Sequence, residues 1–323
     1  MINHSVLTPV ISLLLLLTVR ARNLQQNFLK QPESVRVVEG GNVTLECGVS
    51  NKVGVLQWTK DDFGLGTSRA LPGYSRISMV GGNNETWNLQ ILNVSLEDDG
   101  KYQCQVGATE TSQPIRSEYA RLTVLSAPEP PVLTVGSVMK AEEGGIAVVQ
   151  CISRGGHPAS VIRWRLDGQL VTAGIEEAVS QVKDSKRMLT VSTLQFPVTL
   201  GLAGSELVCE AENKAGPAET VRTEIDVEFK PKVSLRSDLR SDQLTEGQTV
   251  TFSCQAEAAP AEVSFQWFIN NQELEVSGPE LVVAASRNLH QARVSCLVRN
   301  RLGQTSAEQL LSVKCKFLVI NFG

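Results

Sequence analysis

The sequence predicts an all-β protein of three tandem two-sheet sandwiches behind an N-terminal export signal, and three observations carry that reading. A Cys, a Trp eleven or thirteen residues later and a second Cys recur three times, as Cys47, Trp58, Cys104; Cys151, Trp164, Cys209; and Cys254, Trp267, Cys296. The flanking residues alternate apolar and polar, as in Val43-Thr44-Leu45-Glu46-Cys47 and Leu207-Val208-Cys209-Glu210-Ala211, the period of strands with one buried face. Helical periodicity is weak throughout, whereas short apolar runs are punctuated by Gly, Pro, Asn and Ser.

An internal repeat in which a disulfide crosses between two sheets and packs on an indole is the arrangement of an immunoglobulin-like sandwich. At 323 residues the chain accommodates three such domains of about 100 residues each.

Residues 1–21 form a different kind of segment. Val6 to Val19 is almost wholly apolar around Leu13 to Leu17, and Val19-Arg20-Ala21 puts acceptable residues at the −3 and −1 positions of a cleavage site. The run is about 14 residues, short of the roughly 20 that a membrane span needs, so it reads as a signal peptide. An uncleaved N-terminal anchor is the alternative, because the segment before the run lacks Lys and Arg. Export makes the compartment extracellular and oxidising, so six of the seven Cys pair in sequence order as Cys47–Cys104, Cys151–Cys209 and Cys254–Cys296. Each pair closes one sandwich over 57, 58 or 42 residues. Cys315 is left over: either it pairs with another chain or it reflects where this chain stops.

The first domain is expected over 26–125. Its run Asp98-Asp99-Gly100-Lys101-Tyr102-Gln103-Cys104 sets Tyr102 two residues before the second Cys, as in a tyrosine corner. Ser75 to Ser78 and Trp87 to Ile91 supply further strands, giving a variable-like or intermediate set. The second domain is expected over 130–229, with Leu207 at the corner position. The third, over 231–313, has Val294 there and a shorter disulfide loop, closer to an intermediate or constant-like set. An atypical tail follows over 314–323. The linkers Ser126-Ala127-Pro128-Glu129-Pro130-Pro131 and Lys230-Pro231-Lys232 are expected as extended polyproline spacers within a semi-rigid rod.

No catalytic, metal or cofactor site is expected. His4 lies in the signal peptide, His157 and His290 fall in different domains, and His157 reads as an ordinary solvated loop residue. Acidic pairs such as Asp61-Asp62, Asp98-Asp99 and Glu142-Glu143 fall where turns need local hydrogen bonding. A net charge of −4 with interspersed signs leaves no footprint for nucleic acid, and no small-molecule substrate is indicated. Three Asn-X-Ser/Thr sequons lie at Asn42, Asn84 and Asn93, and in a secreted context at least one of them is expected to carry a glycan.

Alternation assigns one face of the first domain. With Trp58 and Cys104 inward, Gln57 and Thr59 on strand C and Gln103 and Gln105 on strand F point outward. Ala120, Leu122 and Val124 inward on strand G turn Tyr119 and Arg121 outward beside them. The result is an uncharged hydrogen-bonding sheet edged by Phe63 and Leu65, suited to protein recognition or, equally, to ordinary solvation.

The stretches Val55 to Gly66, Leu71-Pro72-Gly73-Tyr74-Ser75-Arg76 and Tyr102-Gln103-Cys104-Gln105-Val106-Gly107 closely resemble the first immunoglobulin domain of the nephrin and Neph adhesion receptors. Two Asp before Phe-Gly-Leu-Gly look more like the Kirre, Roughest and Neph branch. Gly155-Gly156-His157-Pro158-Ala159 and the exit through Phe229-Lys230-Pro231-Lys232-Val233 are similar to the second domain of the same receptors. The resemblance implies cell-cell adhesion, with first domains on opposing cells docking through their C, C′, F and G faces. The partner it implies is an immunoglobulin-superfamily receptor, either self or of the nephrin branch. Carried onto this chain, the docking residues are Gln57, Thr59, Phe63, Leu65, Gln103 and Gln105. Such receptors have more domains and a membrane helix, whereas Phe317 to Ile320 is far too short to span a bilayer. The chain therefore reads as a fragment, a truncated gene product or a secreted form, with a soluble binding protein or decoy as the alternative to a plasma-membrane receptor.

Overall fold

The computed structural model describes residues 25–82, 84–239 and 244–314; the signal peptide over 1–21 and Cys315 lie outside them. The chain divides into two compact units, one ending at Leu125 and one starting at Ser126.

The first unit holds one sandwich. Its strands are β1 (Asn27–Lys30), β2 (Val35–Val38), β3 (Val43–Leu45), β4 (Gly48–Ser50), β5 (Leu56–Lys60), β6 (Phe63–Gly66), β7 (Ile77–Val80), β8 (Asn88–Ile91), β9 (Gly100–Val106), β10 (Ile115–Arg116) and β11 (Ala120–Leu125). One sheet runs β2-β11-β9-β5-β6, with β10 on β9, and the other runs β3-β8-β7; β1 pairs with β4. The expected inward residues Ala120, Leu122 and Val124 are fully buried. Trp58 lies between the sheets with the Cys47–Cys104 bridge, and its indole N–H donates to the Trp87 carbonyl at 2.8 Å. Burial of that ring carries no polar penalty, because its donor is satisfied. Tyr102 is the tyrosine corner, its hydroxyl donating to the Asp98 carbonyl at 2.7 Å. The acidic pair before it makes ion pairs as well as turns, Asp98 with Arg76 at 2.8 Å and Asp99 with Arg121 at 2.7 Å.

The second unit holds two sandwiches. The first of them is built from β12 (Val132–Leu133), β13 (Val138–Glu142), β14 (Ile146–Gly156), β15 (Val161–Leu166), β16 (Gln169–Val171), β17 (Ile175–Gln181), β18 (Met188–Pro197), β19 (Glu206–Glu212) and the start of β20 (Glu219–Ser237). The other takes the end of β20 with β21 (Thr249–Ala259), β22 (Ser264–Ile269), β23 (Gln272–Leu274), β24 (Glu280–Ala284), β25 (Ala292–Asn300) and β26 (Gly303–Leu311). Their cores repeat the pattern of the first, with Trp164 on the Cys151–Cys209 bridge and Trp267 on Cys254–Cys296.

One linker expectation is corrected. Lys230-Pro231-Lys232 is no polyproline spacer but lies inside the 19-residue strand β20, whose ladder shifts register between Phe229 and Lys232. A bulge at that point accommodates Pro231, which has no N–H for the ladder. Ser126, where the other linker begins, exchanges backbone hydrogen bonds with His157 and accepts from Arg187 and Asn213. His157 is consequently half-buried, with Nδ1 2.9 Å from the Lys186 carbonyl, and is not the solvated loop residue expected.

One turn recurs in all three sandwiches. Asp61, Asp167 and Asn270 each have positive φ (48°, 48° and 49°) where strand C turns toward C′. Each side chain accepts from the N–H of Lys101, Glu206 or Arg293 at 2.8–2.9 Å, and each backbone N–H donates to that residue's carbonyl. Asp and Asn suit this site because they tolerate the left-handed region and bond the backbone at short range.

Candidate docking face

In the register of β5 on β9, Gln57 opposes Gln105 and Thr59 opposes Gln103, while Trp58 opposes Cys104 on the inner side. The four expected side chains therefore share the outer face, but they do different jobs. Gln105 Nε2 donates to Gln103 Oε1 at 2.7 Å, and Gln103 Nε2 donates to the Ser117 carbonyl at 2.7 Å. Thr59 is only 3% exposed and Gln103 7%, so both support the face from beneath instead of presenting it. Gln57 and Gln105 are half-buried and remain reachable.

Phe63 and Leu65 are not on this face, contrary to expectation. The β5–β6 ladder slips between Trp58 and Thr59: Thr59 pairs with Gly64 and Trp58 with Gly66, leaving Leu65 as the extra residue of a bulge. Leu65 turns into the core at 7% exposure. Phe63 opposes Lys60, on the opposite side of the sheet from Thr59, and stands 79% exposed beside a hollow of 540 Å³ lined by Tyr74, Arg76 and Asp98. Gly64 is the β6 residue beneath the amides, and a Cβ there would meet Gln57 Oε1 at 3.3 Å.

Tyr119 is placed as expected, 50% exposed next to Gln103. Its hydroxyl donates to Asp62 Oδ1 at 2.6 Å, so its side chain crosses β9 to reach the β5–β6 turn. That bond holds the phenol above its ordinary pKa, because losing the proton would set two anions side by side.

One residue of this face escaped the sequence reading. Arg116 opposes Gln105 across β9–β10, and with Val55, Gln57 and Pro114 it lines a second hollow of 280 Å³. A two-residue strand is too short for alternation to reveal which side it presents.

The matching faces of the other sandwiches are chemically different. In the second, Arg163 pairs with Glu212, Arg165 with Glu210 at 2.9 Å and Arg222 with Glu206 at 3.1 Å; in the third, Arg293 pairs with Glu308 at 2.8 Å. The second face thus pairs its Arg with Glu, while on the third Arg299 donates to Gln304 instead. The sequons lie elsewhere in the first sandwich, all on loops of the β3-β8-β7 sheet: exposed Asn42 just before β3, and exposed Asn84 and Asn93 either side of β8.

Residues 27–107 match the family model of an immunoglobulin domain, and residues 127–219 that of a CD80-like C2-set immunoglobulin domain. The Irregular chiasm C-roughest protein of Drosophila melanogaster is 36% identical over 317 residues, covering 89% of this chain and 41% of the relative. Kin of IRRE-like protein 3 of Homo sapiens is 34% identical over 291 residues, covering 89% and 36%. The crystal structure of Rst D1-D2 superposes with a TM-score of 0.60 at 40% identity, covering 63% of this chain and 99% of that one. The chain belongs to the Kirre/Roughest/Neph family. This Kirre/Roughest/Neph chain spans about two fifths of the length of the curated relatives it matches. The family is a non-enzymatic, immunoglobulin-superfamily ectodomain family. Among the described residues no helix is long and apolar enough to cross a membrane.

Proposed function

We propose that the chain serves cell-cell adhesion and recognition, its first sandwich docking onto an immunoglobulin-superfamily receptor on an opposing cell through the outer face of β5, β9 and β10. The contact residues are Gln57, Gln105, Tyr119 and Arg116, with Thr59 and Gln103 fixing them from below. Phe63 contributes at the margin, from the far side of the β5–β6 hairpin. The observation that carries this reading is the contrast among the three sandwiches: among the described residues the first outer face presents amides, a Tyr and an Arg, whereas the second carries three Arg–Glu pairs and the third one. Aromatic and Arg side chains carry much of the energy in protein interfaces, and amides supply hydrogen bonds without the desolvation cost of paired ions. Glycans on Asn42, Asn84 and Asn93 would spring from the other sheet and leave this face open. Membership of an adhesion family supports the same reading, with a self or nephrin-branch partner at the plasma membrane.

The test is cell clustering by full-length receptor carrying Gln57→Arg or Gln105→Arg. Loss of clustering at normal surface display is expected; clustering at the unmodified level sinks the proposed face. Binding of the purified first domain to itself and to nephrin-branch ectodomains then identifies the partner.

A further inference from the structure

At the junction between the second and third sandwiches only Lys230 and Pro231 of β20 lie outside a ladder. β20 pairs with β13 and β19 up to Glu228, and its pairing with β21 begins at Phe229. One sheet thus hands over to the next within a continuous strand. At that residue the Glu228 carboxylate is buried, with 4% of the residue exposed. It lies between Lys140 Nζ of β13 in the second sandwich, at 3.1 Å, and the guanidinium of Arg301 in the β25–β26 turn of the third. Asn300, also buried, donates Nδ2 to the Phe229 carbonyl at 2.9 Å, while its Oδ1 accepts from the N–H groups of Leu302 and Gly303. Gly303 admits the Lys230 stem, since a Cβ there would sit 2.9 Å from Lys230 Cε.

A buried carboxylate is tolerated when cations and hydrogen bonds neutralise it, and leaving one uncompensated is strongly unfavourable. Here each sandwich supplies one of the two cations, so full neutralisation exists only while both are docked. Tandem domains with small polar interfaces move relative to one another by default. The continuous strand and the shared carboxylate oppose that motion by different means, one through backbone and one through charge.

We propose that Lys140, Glu228 and Arg301 form an ionic clasp that locks the second and third sandwiches into one rigid strut, with Glu228 its positioning residue. The inference is independent of the docking face. Its value to a recognition protein lies in preorganisation: a fixed angle avoids losing conformational freedom when a partner is engaged.

The test places spin labels at two exposed positions, Glu177→Cys and Val282→Cys, in the whole chain with Cys315→Ser, and measures the distance distribution between them. The parent gives a single narrow distribution. Arg301→Ala and Glu228→Gln broaden it about twofold, Arg301→Lys restores most of the narrowing, and both sandwiches keep cooperative unfolding. The clasp is overturned if the parent distribution is already broad, or if Arg301→Ala leaves it as narrow as the parent. Should Glu228→Gln fail to fold, Arg301→Ala decides alone, because that side chain is 54% exposed and lies outside both cores.

Discussion

The hydroxyl of Tyr119 donates a 2.6 Å hydrogen bond to Asp62, tying the residue before strand β11 to the β5–β6 turn two strands away. The bond fixes the Tyr119 ring over the sheet and anchors the hairpin that carries Phe63. Tyr119→Phe is expected to leave stability almost unchanged, because the bond is exposed to solvent, while weakening docking several-fold. Thermal unfolding and binding of the first domain, measured together, separate the two effects. Because the phenol's pKa is raised in the fold, the contribution of this bond is complete below the ordinary phenol value near 10. It is lost only as pH rises through the higher folded value, so binding that depends on Tyr119 should be flat between neutral pH and mildly alkaline conditions.

Asp98 gives the opposite pH dependence. Burial works to raise its pKa, but the Arg76 hydrogen bond and the Ser95 N–H outweigh it and hold the carboxyl below its usual value. A depressed folded pKa stabilises above the unfolded value of 3.8 and ceases to do so as pH falls through the folded one. Acid unfolding of the first domain should thus lose its Asp98 contribution below about pH 4. Arg76→Ala, which strands that carboxylate, should cost about 3 kcal/mol at neutral pH and flatten the acid limb of the stability profile. Urea titrations at a series of pH values check both.

Gly100 faces Asp61 so closely that a Cβ would lie 2.6 Å from Oδ2. Gly100→Ala should expel that carboxylate, break its bond to the Lys101 N–H and destabilise the domain by about 1–3 kcal/mol. A much smaller cost of Gly100→Ala in an Asp61→Gly background than in the parent would show that the clash, rather than the new methyl itself, is responsible.

The amide row predicts a division of labour. Gln103→Ala removes the partner of both Gln105 and the Ser117 carbonyl and should cost about 1 kcal/mol of stability. Gln57→Ala should leave stability within about 0.5 kcal/mol and act on binding alone. Equal stability losses at the two positions would contradict the burial difference between them.

Much of this was legible along the chain. The spacing of Cys and Trp identified three sandwiches and their bridges, because a sheet-to-sheet disulfide on an indole imposes that spacing wherever it occurs. Alternation from Trp58 and Cys104 correctly placed Gln57, Thr59, Gln103 and Gln105 on one face and Tyr119 beside them. It went wrong at Phe63 and Leu65, because the Asp61-Asp62 turn sets Phe63 opposite Lys60, which has the parity of Trp58, so Phe63 and Leu65 fall on the side away from Thr59.

Sequence by itself determined the fold, the disulfides and the parity of the central strands, all of which follow from local period and covalent spacing. Tertiary structure alone decided which outward residues stay reachable. Exposure depends on what crosses above a side chain, and neither the Tyr119–Asp62 bond over Gln103 nor the amide chain to Ser117 is written in any local pattern. It also decided that Lys230-Pro231-Lys232 is strand and not spacer, because the partner strand that captures it starts at Thr249, far along the chain. The Glu228 clasp has the same origin: Lys140 and Arg301 lie far from Glu228 in sequence and converge on it only because β20 belongs to both sandwiches.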